Sequence, residues 1–124
     1  MHIIAGAIIV AGIVAVAPMS AMAATTDPVT GSAASRLERG RTLAFDRGKG
    51  NCLACHEIAG GTLPGNIGPP LVAMKLRFPD KPALRAQVSD AGARNPDSIM
   101  PPFGRHRILT DDEIDLIVEF LYTL

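Results

Sequence analysis

The stretch Cys52-Leu53-Ala54-Cys55-His56 contains both cysteines of this 124-residue chain and a histidine directly after them. Two thiols three positions apart lie on the same side of a helical turn, so both can reach one flat ligand. The following imidazole is a common axial ligand of haem iron. The C-x-x-C-H spacing is that of c-type haem attachment, in which both thiols form thioethers to the porphyrin. We therefore predict one covalent haem c with its iron, bound by Cys52, Cys55 and His56.

Three other kinds of site use a similar pair of cysteines. A thioredoxin-like redox pair expects flanking strands and a thiol of lowered pKa, whereas residues 41–50 indicate a helical turn that ends in glycines. A structural zinc site needs four ligands, and after residue 23 the only cysteines and histidines are Cys52, Cys55, His56 and His106. A disulfide between the two cysteines would close a very short loop and leave His56 unexplained. Covalent haem accounts for the whole motif.

The first residues of the chain are typical of a secretory signal peptide. Residues 3–17 form a nearly continuous apolar run that Pro18 interrupts, and residues 21–23 (Ala-Met-Ala) form an A-x-A cleavage signal. The basic residues that usually precede such a run are missing. We expect cleavage after about Ala23 and a periplasmic location, and the alternative is an uncleaved N-terminal anchor.

Composition indicates one small domain in the mature chain. We expect a signal peptide over residues 1–23, a flexible N-terminus over 24–35 and a haem domain over 36–124. The chain has 12 basic and 12 acidic residues, so its charge gives no reason to expect nucleic acid as a partner. It has no tryptophan, one tyrosine and four phenylalanines. A buried porphyrin would therefore supply much of the apolar core.

The two ends of the haem domain have helical sequence patterns. Residues 35–45 begin with a capping-box pair, Ser35 and Glu38, and place Gly40 on the inner face. Residues 110–121 begin with a second capping box and have apolar side chains at positions 114, 117, 118 and 121, the spacing of an amphipathic helix. Because glycine permits close approach, we expect the last helix to cross the first at Gly40 and close the domain around the haem.

A third helix is predicted over residues 80–89, with Asp80 as its N-cap and Pro82 in the first turn. Its inward positions are expected to be Leu84, Val88 and Ala91. Nothing in the mature chain alternates convincingly as a strand, so the sequence predicts an all-α fold. The Gly- and Pro-rich segments 60–70 and 95–107 are expected to be ordered loops.

The position opposite His56 on the iron can hold Met74, Met100, His106 or no protein ligand. Met100 lies among residues 99–103 (Ile-Met-Pro-Pro-Phe), where the prolines lower the entropic cost of holding a thioether on the iron. Met74 fits a core-filling role better. His106 lies between two arginines and fits a surface position better. We favour Met100, with His106 as the alternative, and a thioether ligand would favour electron acceptance.

Four longer strings give the chain a resemblance to a known family. They are residues 50–56 (GNCLACH), 65–71 (GNIGPPL), 74–80 (MKLRFPD) and 100–110 (MPPFGRHRILT). From about Arg36 onward the chain resembles a class I cytochrome c, and it closely resembles the SoxX family, the monohaem subunits of the periplasmic thiosulfate-oxidising Sox system. The haem motif is shared by every cytochrome c, whereas GNxGPPL and MPPFGRH are much narrower signals.

The resemblance implies a role for each residue of the site. Cys52 and Cys55 would hold the haem, and His56 and Met100 would be the axial ligands of the iron. The backbone carbonyl of Pro69 would accept a hydrogen bond from His56. No residue of this chain would be catalytic toward thiosulfate.

The resemblance also implies partners. It predicts a heterodimer with a SoxA-type cytochrome, which carries the site where thiosulfate is oxidatively coupled to a cysteine of a carrier protein. This chain would be the electron-accepting subunit of that L-cysteine S-thiosulfotransferase complex and would pass electrons to a downstream cytochrome c. The alternative is a free-standing periplasmic electron shuttle. Arg77, Arg105 and Arg107 fit three positions: beside the haem propionates, at a partner interface or on a solvated surface.

Overall fold

The computed structural model describes residues 31–124, and within them every regular element is helical. The helices are α1 (Ala33–Phe45), α2 (Met74–Arg77), α3 (Lys81–Ser89) and α4 (Asp111–Leu121), with short 3-10 turns at Cys52–Ala54 and Ala91–Ala93. The all-α prediction is therefore confirmed. Among residues 31–124, no helix is long and apolar enough to cross a membrane. The predicted signal peptide and its cleavage site lie outside the described residues.

Helices α1 and α4 cross at Gly40, as predicted. A β-carbon at Gly40 would overlap the carbonyl oxygen of Leu116, so the two backbones approach as closely as they do only because residue 40 has no side chain. Beyond the crossing, the rings of Phe45 and Phe120 pack at a tilt of 55° with their centroids 6.1 Å apart. The first and last helices thus form the base of the domain.

The N-terminus of α4 is fixed by the predicted capping box. The Thr110 hydroxyl accepts a hydrogen bond from the backbone N–H of Glu113 at 3.2 Å, and the Glu113 carboxylate accepts one from the backbone N–H of Thr110 at 2.9 Å. Glu113 also pairs with Lys49 at 2.7 Å, which ties α4 to the segment before the cysteine motif. The buried side chains of α4 are Ile114, Leu116, Ile117, Val118, Phe120 and Leu121.

The start of α1 differs from the sequence-based expectation. The helix begins at Ala33, because the hydroxyl of Ser32, and not that of Ser35, takes the N-cap position and accepts the backbone N–H of Ser35 at 3.3 Å. The capping box expected from Ser35 and Glu38 is therefore wrong. The last residues of the segment expected to be flexible, 24–35, belong to the helix.

Helix α3 starts after Asp80 as predicted, although the Asp80 side chain makes no capping hydrogen bond. Its inward residues Leu84 and Val88 are buried, and Ala91 is buried in the 3-10 turn that follows the helix. Arg85 donates hydrogen bonds to two carboxylates of α4, those of Asp115 at 2.6 Å and Asp111 at 2.8 Å. These contacts join α3 to α4.

Helix α2 is a single turn that the sequence did not predict. It follows Ala73, whose φ of 49° is left-handed, and it buries Met74 to 2 % exposure. The backbone N–H of Met74 donates to the carbonyl of Leu124 at 3.0 Å, and the Tyr122 hydroxyl is 2.7 Å from the carbonyl of Phe78. The end of the chain therefore holds α2 in place.

Candidate haem site

A cavity of about 680 Å³ lies between the cysteine motif, the loops around residues 68 and 100, and helices α2, α3 and α4. This size is within the range of about 300–1,000 Å³ that is usual for cofactor pockets. Its apolar wall is built by buried side chains from five segments of the chain: Leu71, Met74, Leu84, Val88, Phe103, Leu109, Ile117 and Leu121. The fold thus contains a large apolar cavity beside the motif from which the sequence predicts a haem.

The predicted site residues meet at this cavity. Cys52, Cys55, His56, Pro69 and Met100 all contribute to its lining, although they come from three separate segments of the chain. The two loops that bring Pro69 and Met100 to the motif are the Gly- and Pro-rich segments expected to be ordered. The cavity is therefore the point at which these segments converge.

The cysteine motif is a tight turn rather than a full helix. Cys52 begins the 3-10 turn after Asn51, whose φ of 47° is left-handed, and the Cys52 carbonyl accepts the backbone N–H of both Cys55 (3.2 Å) and His56 (2.8 Å). Before the turn, the N–H of Gly50 donates to the carbonyl of Leu43 at 3.0 Å. The turn is thus fixed to the end of α1, with both thiols and the imidazole on a single short element.

The environment of Cys52 differs from that of a redox-active cysteine pair. Burial raises the pKa of the Cys52 thiol to about 11, and the neighbouring Cys55 contributes to the increase against the lowering effect of a backbone hydrogen bond. A thiol-disulfide oxidoreductase requires a lowered thiol pKa. Neither cysteine forms a disulfide. The thiol pKa therefore argues against the thioredoxin-like alternative.

The four residues of the zinc alternative are not brought together. His106 is exposed and does not line the cavity, whereas Cys52, Cys55 and His56 do. Within residues 31–124, no three His, Cys, Asp or Glu side chains are grouped as ligands for a metal ion.

The loop of residues 65–71 runs alongside the cysteine motif. Three backbone hydrogen bonds of 2.8 Å join them, from the N–H groups of Gly65, Gly68 and Leu71 to the carbonyls of Leu53, Cys55 and Glu57. A β-carbon at Gly65 would overlap the Ala54 carbonyl, and one at Gly68 would overlap the His56 imidazole. No role was predicted for these two glycines from the sequence, although their three-residue spacing beside two prolines is a signal of close backbone approach.

The imidazole of His56 is oriented by this loop. Its Nδ1 atom lies 2.7 Å from the carbonyl oxygen of Pro69. A carbonyl can only accept, so the neutral ring carries its proton on Nδ1 and leaves the lone pair of Nε2 available to a metal. The contact also strengthens the imidazole as a ligand, because a hydrogen bond from Nδ1–H increases its basicity.

The candidates for the second axial ligand lie in different surroundings. Met100 is half-buried on the cavity wall, and its backbone N–H donates to the Ser98 hydroxyl at 3.3 Å. Met74 also lines the cavity, but it is 2 % exposed and belongs to the apolar core. His106 is exposed and lies outside the lining. This arrangement favours Met100 over the two other candidates.

The three arginines for which the sequence left the role open differ in whether they line the cavity. Arg77 lines the cavity, whereas Arg105 and Arg107 do not. Arg105 instead pairs with Asp90 at 3.3 Å on the surface. Arg47 also lies at the cavity, so that guanidinium groups are contributed by the segment before the motif and by the end of α2.

The residues present fit a haem c in their chemistry. The cavity offers two thiols on one turn, an imidazole with a fixed tautomer, a thioether on another segment and an otherwise mainly apolar wall.

Comparison with known proteins agrees with this fit. The family described as cytochrome c oxidase, cbb3-type, subunit III matches residues 36–121, which include the whole site. The comparison with curated proteins gives no match.

Proposed function

This chain belongs to the family of cytochrome c domains described as cytochrome c oxidase, cbb3-type, subunit III, and on that premise we propose which residues hold the haem and which protein donates its electrons. As a cytochrome c it contains covalently bound haem c with iron and is an electron-transfer protein. The family description does not identify a partner for this chain.

We propose that Cys52 and Cys55 would hold the haem through two thioethers and that His56 and Met100 would bind its iron. The observation that carries this assignment is the convergence of all four side chains on one mainly apolar cavity. The bound haem supplies a one-electron redox centre. The Pro69 carbonyl fixes the His56 tautomer and orientation. A Met100 thioether on the iron would favour the reduced state relative to a second imidazole.

The more specific proposal is an electron-accepting subunit of a SoxXA-type complex. It is supported by the two narrow sequence signals, residues 65–71 and 100–106, which both lie at the cavity. Oxidative coupling of thiosulfate to a carrier thiol breaks the S–H bond, forms an S–S bond and releases one proton and two electrons. With one haem, this chain would hold one electron at a time and would pass it to a downstream cytochrome c before it received the next.

The surface of the segment 63–76 supports a lasting partner. It contains three large apolar side chains that are mostly exposed and do not line the cavity: Leu63 (97 %), Leu76 (82 %) and Val72 (55 %). Apolar side chains concentrated on an exposed segment are typical of a surface that a partner covers. We propose that the SoxA-type cytochrome covers this segment. The formal net charge of zero also favours a lasting partner, since free shuttles more often have a strongly charged face that steers them to their partners.

The alternative is a free-standing electron shuttle, which needs the same haem site. Purification of the tagged protein from its native host separates the two functions. The complex predicts a second haem polypeptide that co-elutes with this chain during size exclusion. Recovery of a monomer without a second haem protein would contradict the subunit proposal and leave the shuttle.

A matched pair of variants tests the proposed surface in the same purification. Leu76→Asp places a charge on the apolar segment and should abolish recovery of the second polypeptide while haem remains bound. Ala34→Asp places the same charge on an exposed position of α1 and should leave recovery unchanged. Equal recovery with both variants would place the partner elsewhere.

We further propose that the protein is exported to the periplasm and that a signal peptide is cleaved after about Ala23. Covalent haem attachment through a C-x-x-C-H motif fits this compartment. N-terminal sequencing of the purified protein should begin at about Ala24. A mature N-terminus that retains residues 3–17 would instead support the anchored alternative.

A further inference from the structure

Arg77 makes a contact that the proposed function does not use. At the end of α2, its Nη1 atom donates a hydrogen bond to the carbonyl oxygen of Pro70 at 2.7 Å. The same nitrogen is 3.7 Å from the sulfur of Met74. The guanidinium therefore bridges from a helical turn to the loop that orients His56, directly at the cavity wall.

The loop needs such a contact because of its two prolines. Pro69 and Pro70 have no backbone N–H, so their carbonyls are the only backbone groups through which they can be held. On either side, Gly68 and Leu71 are bonded to the motif through their N–H groups. Between these two points, the structure fixes the prolines by one contact each: the Pro69 carbonyl with His56, and the Pro70 carbonyl with Arg77.

The base from which Arg77 reaches the loop is firmly anchored. The backbone N–H of Arg77 donates to the carbonyl of Ala73 at 3.1 Å, and the backbone N–H of Met74 donates to the carbonyl of Leu124 at 3.0 Å. Met74 itself is 2 % exposed. A guanidinium is a planar and permanently charged donor, and its hydrogen bonds to carbonyls are stronger than those of neutral donors. Arg77 therefore fixes the Pro70–Leu71 peptide plane relative to α2. Because the ring of Pro70 restricts its φ, this constraint extends to the preceding Pro69–Pro70 plane, which contains the Pro69 carbonyl.

We infer that Arg77 is a positioning residue for His56. By holding the Pro70 carbonyl, it keeps the Pro69 carbonyl in line with the Nδ1–H of His56. It thereby maintains the basicity of the imidazole, which stabilises the oxidised iron. The inference rests on the proposed role of His56 as an iron ligand.

This role and a simple charge effect predict opposite changes in the reduction potential. Loss of the His56 hydrogen bond makes the imidazole a weaker donor and raises the potential. Loss of a positive charge near the iron stabilises the oxidised form and lowers the potential. Arg77→Lys separates the two effects, since it keeps the charge and replaces the guanidinium with a shorter side chain.

The test uses the haem-loaded protein and two measurements, the midpoint potential and the hydrogen exchange rate of the His56 Nδ1 proton by NMR. Arg77→Lys should raise the potential, and the proton should exchange several-fold faster, up to about tenfold for the loss of one hydrogen bond. Arg77→Met should accelerate exchange to at least the same extent. Lys75→Met, on the exposed face of the same turn, should change neither quantity.

Arg47→Met is the control for charge, because Arg47 also lines the cavity. It should lower the potential and leave the exchange rate unchanged. Equal downward shifts in Arg77→Met and Arg47→Met, with wild-type exchange in both, would overturn the inference. So would an Arg77→Lys protein whose potential and exchange are those of the wild type. Either result leaves haem attached and the proposed function intact, whereas a wild-type chain without covalent haem would overturn both.

Discussion

The Nδ1 atom of His56 lies 2.7 Å from the carbonyl oxygen of Pro69, on a loop that contacts the imidazole without an intervening side chain. That proximity requires Gly68, because any β-carbon at this position would overlap the ring. Three backbone hydrogen bonds hold the loop along the cysteine motif. The orientation of the axial ligand is therefore a property of the loop as much as of the motif.

Gly68→Ala should displace either the imidazole or the loop. Overpacking of this kind costs about 1–3 kcal/mol of unfolding free energy, and it should also alter the absorption and NMR signals of the ligated haem. Denaturant unfolding and the spectra of the purified protein measure both effects. Gly92→Ala is the matched control, since Gly92 does not line the cavity and a β-carbon there meets only a carboxylate oxygen of Asp90 at 3.3 Å. A Gly68→Ala protein with wild-type stability and spectra would contradict the role of the glycine.

Met100→Ala should leave the haem covalently attached and open one side of the iron. Loss of the thioether lowers the reduction potential and allows added imidazole or cyanide to bind. Titration with these ligands, followed by absorption, measures the opening. His106→Ala should behave like the wild type, since His106 lies outside the cavity lining. The reverse pattern would make His106 the ligand.

Gly40→Ala should destabilise the crossing of α1 and α4. The added methyl group meets the backbone carbonyl of Leu116, which cannot move without shifting α4. We expect a loss of about 1–3 kcal/mol of unfolding free energy, by the same cost of overpacking. Thermal or denaturant unfolding checks the loss, and Gly92→Ala again serves as the control. A neutral or stabilising effect, as expected for Gly→Ala in a free helix, would show that the helices do not approach closely here.

The pairing of Glu113 with Lys49 should make stability depend on pH. The hydrogen bond from Lys49 is the main cause of a lowered Glu113 pKa, so the ionised carboxylate stabilises the folded state. This contribution is complete above the ordinary glutamate pKa of about 4.3 and is lost as the pH falls through the lowered value. Solvent screening limits it, since Lys49 is 41 % exposed, and surface pairs contribute about 0.2–1 kcal/mol.

Glu113→Gln tests this dependence and retains the capping geometry, because glutamine can take the same position in a capping box. The wild type should be more stable than the variant at pH 7, and the difference should disappear on acidification. Other acid-sensitive groups, including the axial ligands, affect both proteins alike. Lys49→Met should remove the same contribution, and the double variant should show no further loss. A difference that persists at low pH would contradict the ion pair as its source.

The sequence predicted the parts of the fold that depend on local chemistry. The capping box at Thr110, the inward face of α4 and the close approach at Gly40 follow from residue type and spacing, and the structure has all three. The predicted start of α1 was wrong because Ser32 and Ser35 can both cap a helix N-terminus, and the local sequence pattern does not decide between them.

The parts that the sequence missed depend on contacts between distant segments. The single turn of α2 is held by the end of the chain, through Leu124 and Tyr122, and has no cap of its own. The bond from Arg77 to Pro70 likewise joins a helix to a loop whose relative placement is set only by folding. Spacing identified the candidate ligands, whereas the residues that orient them became visible only in three dimensions.

The central claim is that Cys52 and Cys55 hold the haem through two thioethers in front of His56. Peptide mapping by mass spectrometry tests it most directly, on protein exported from a host with cytochrome c maturation and extracted with acidic acetone. We predict that the haem remains with the polypeptide and that one peptide, containing both cysteines, carries its mass with no free thiol. Extraction of the haem into the solvent, with both thiols free to react, would contradict the account.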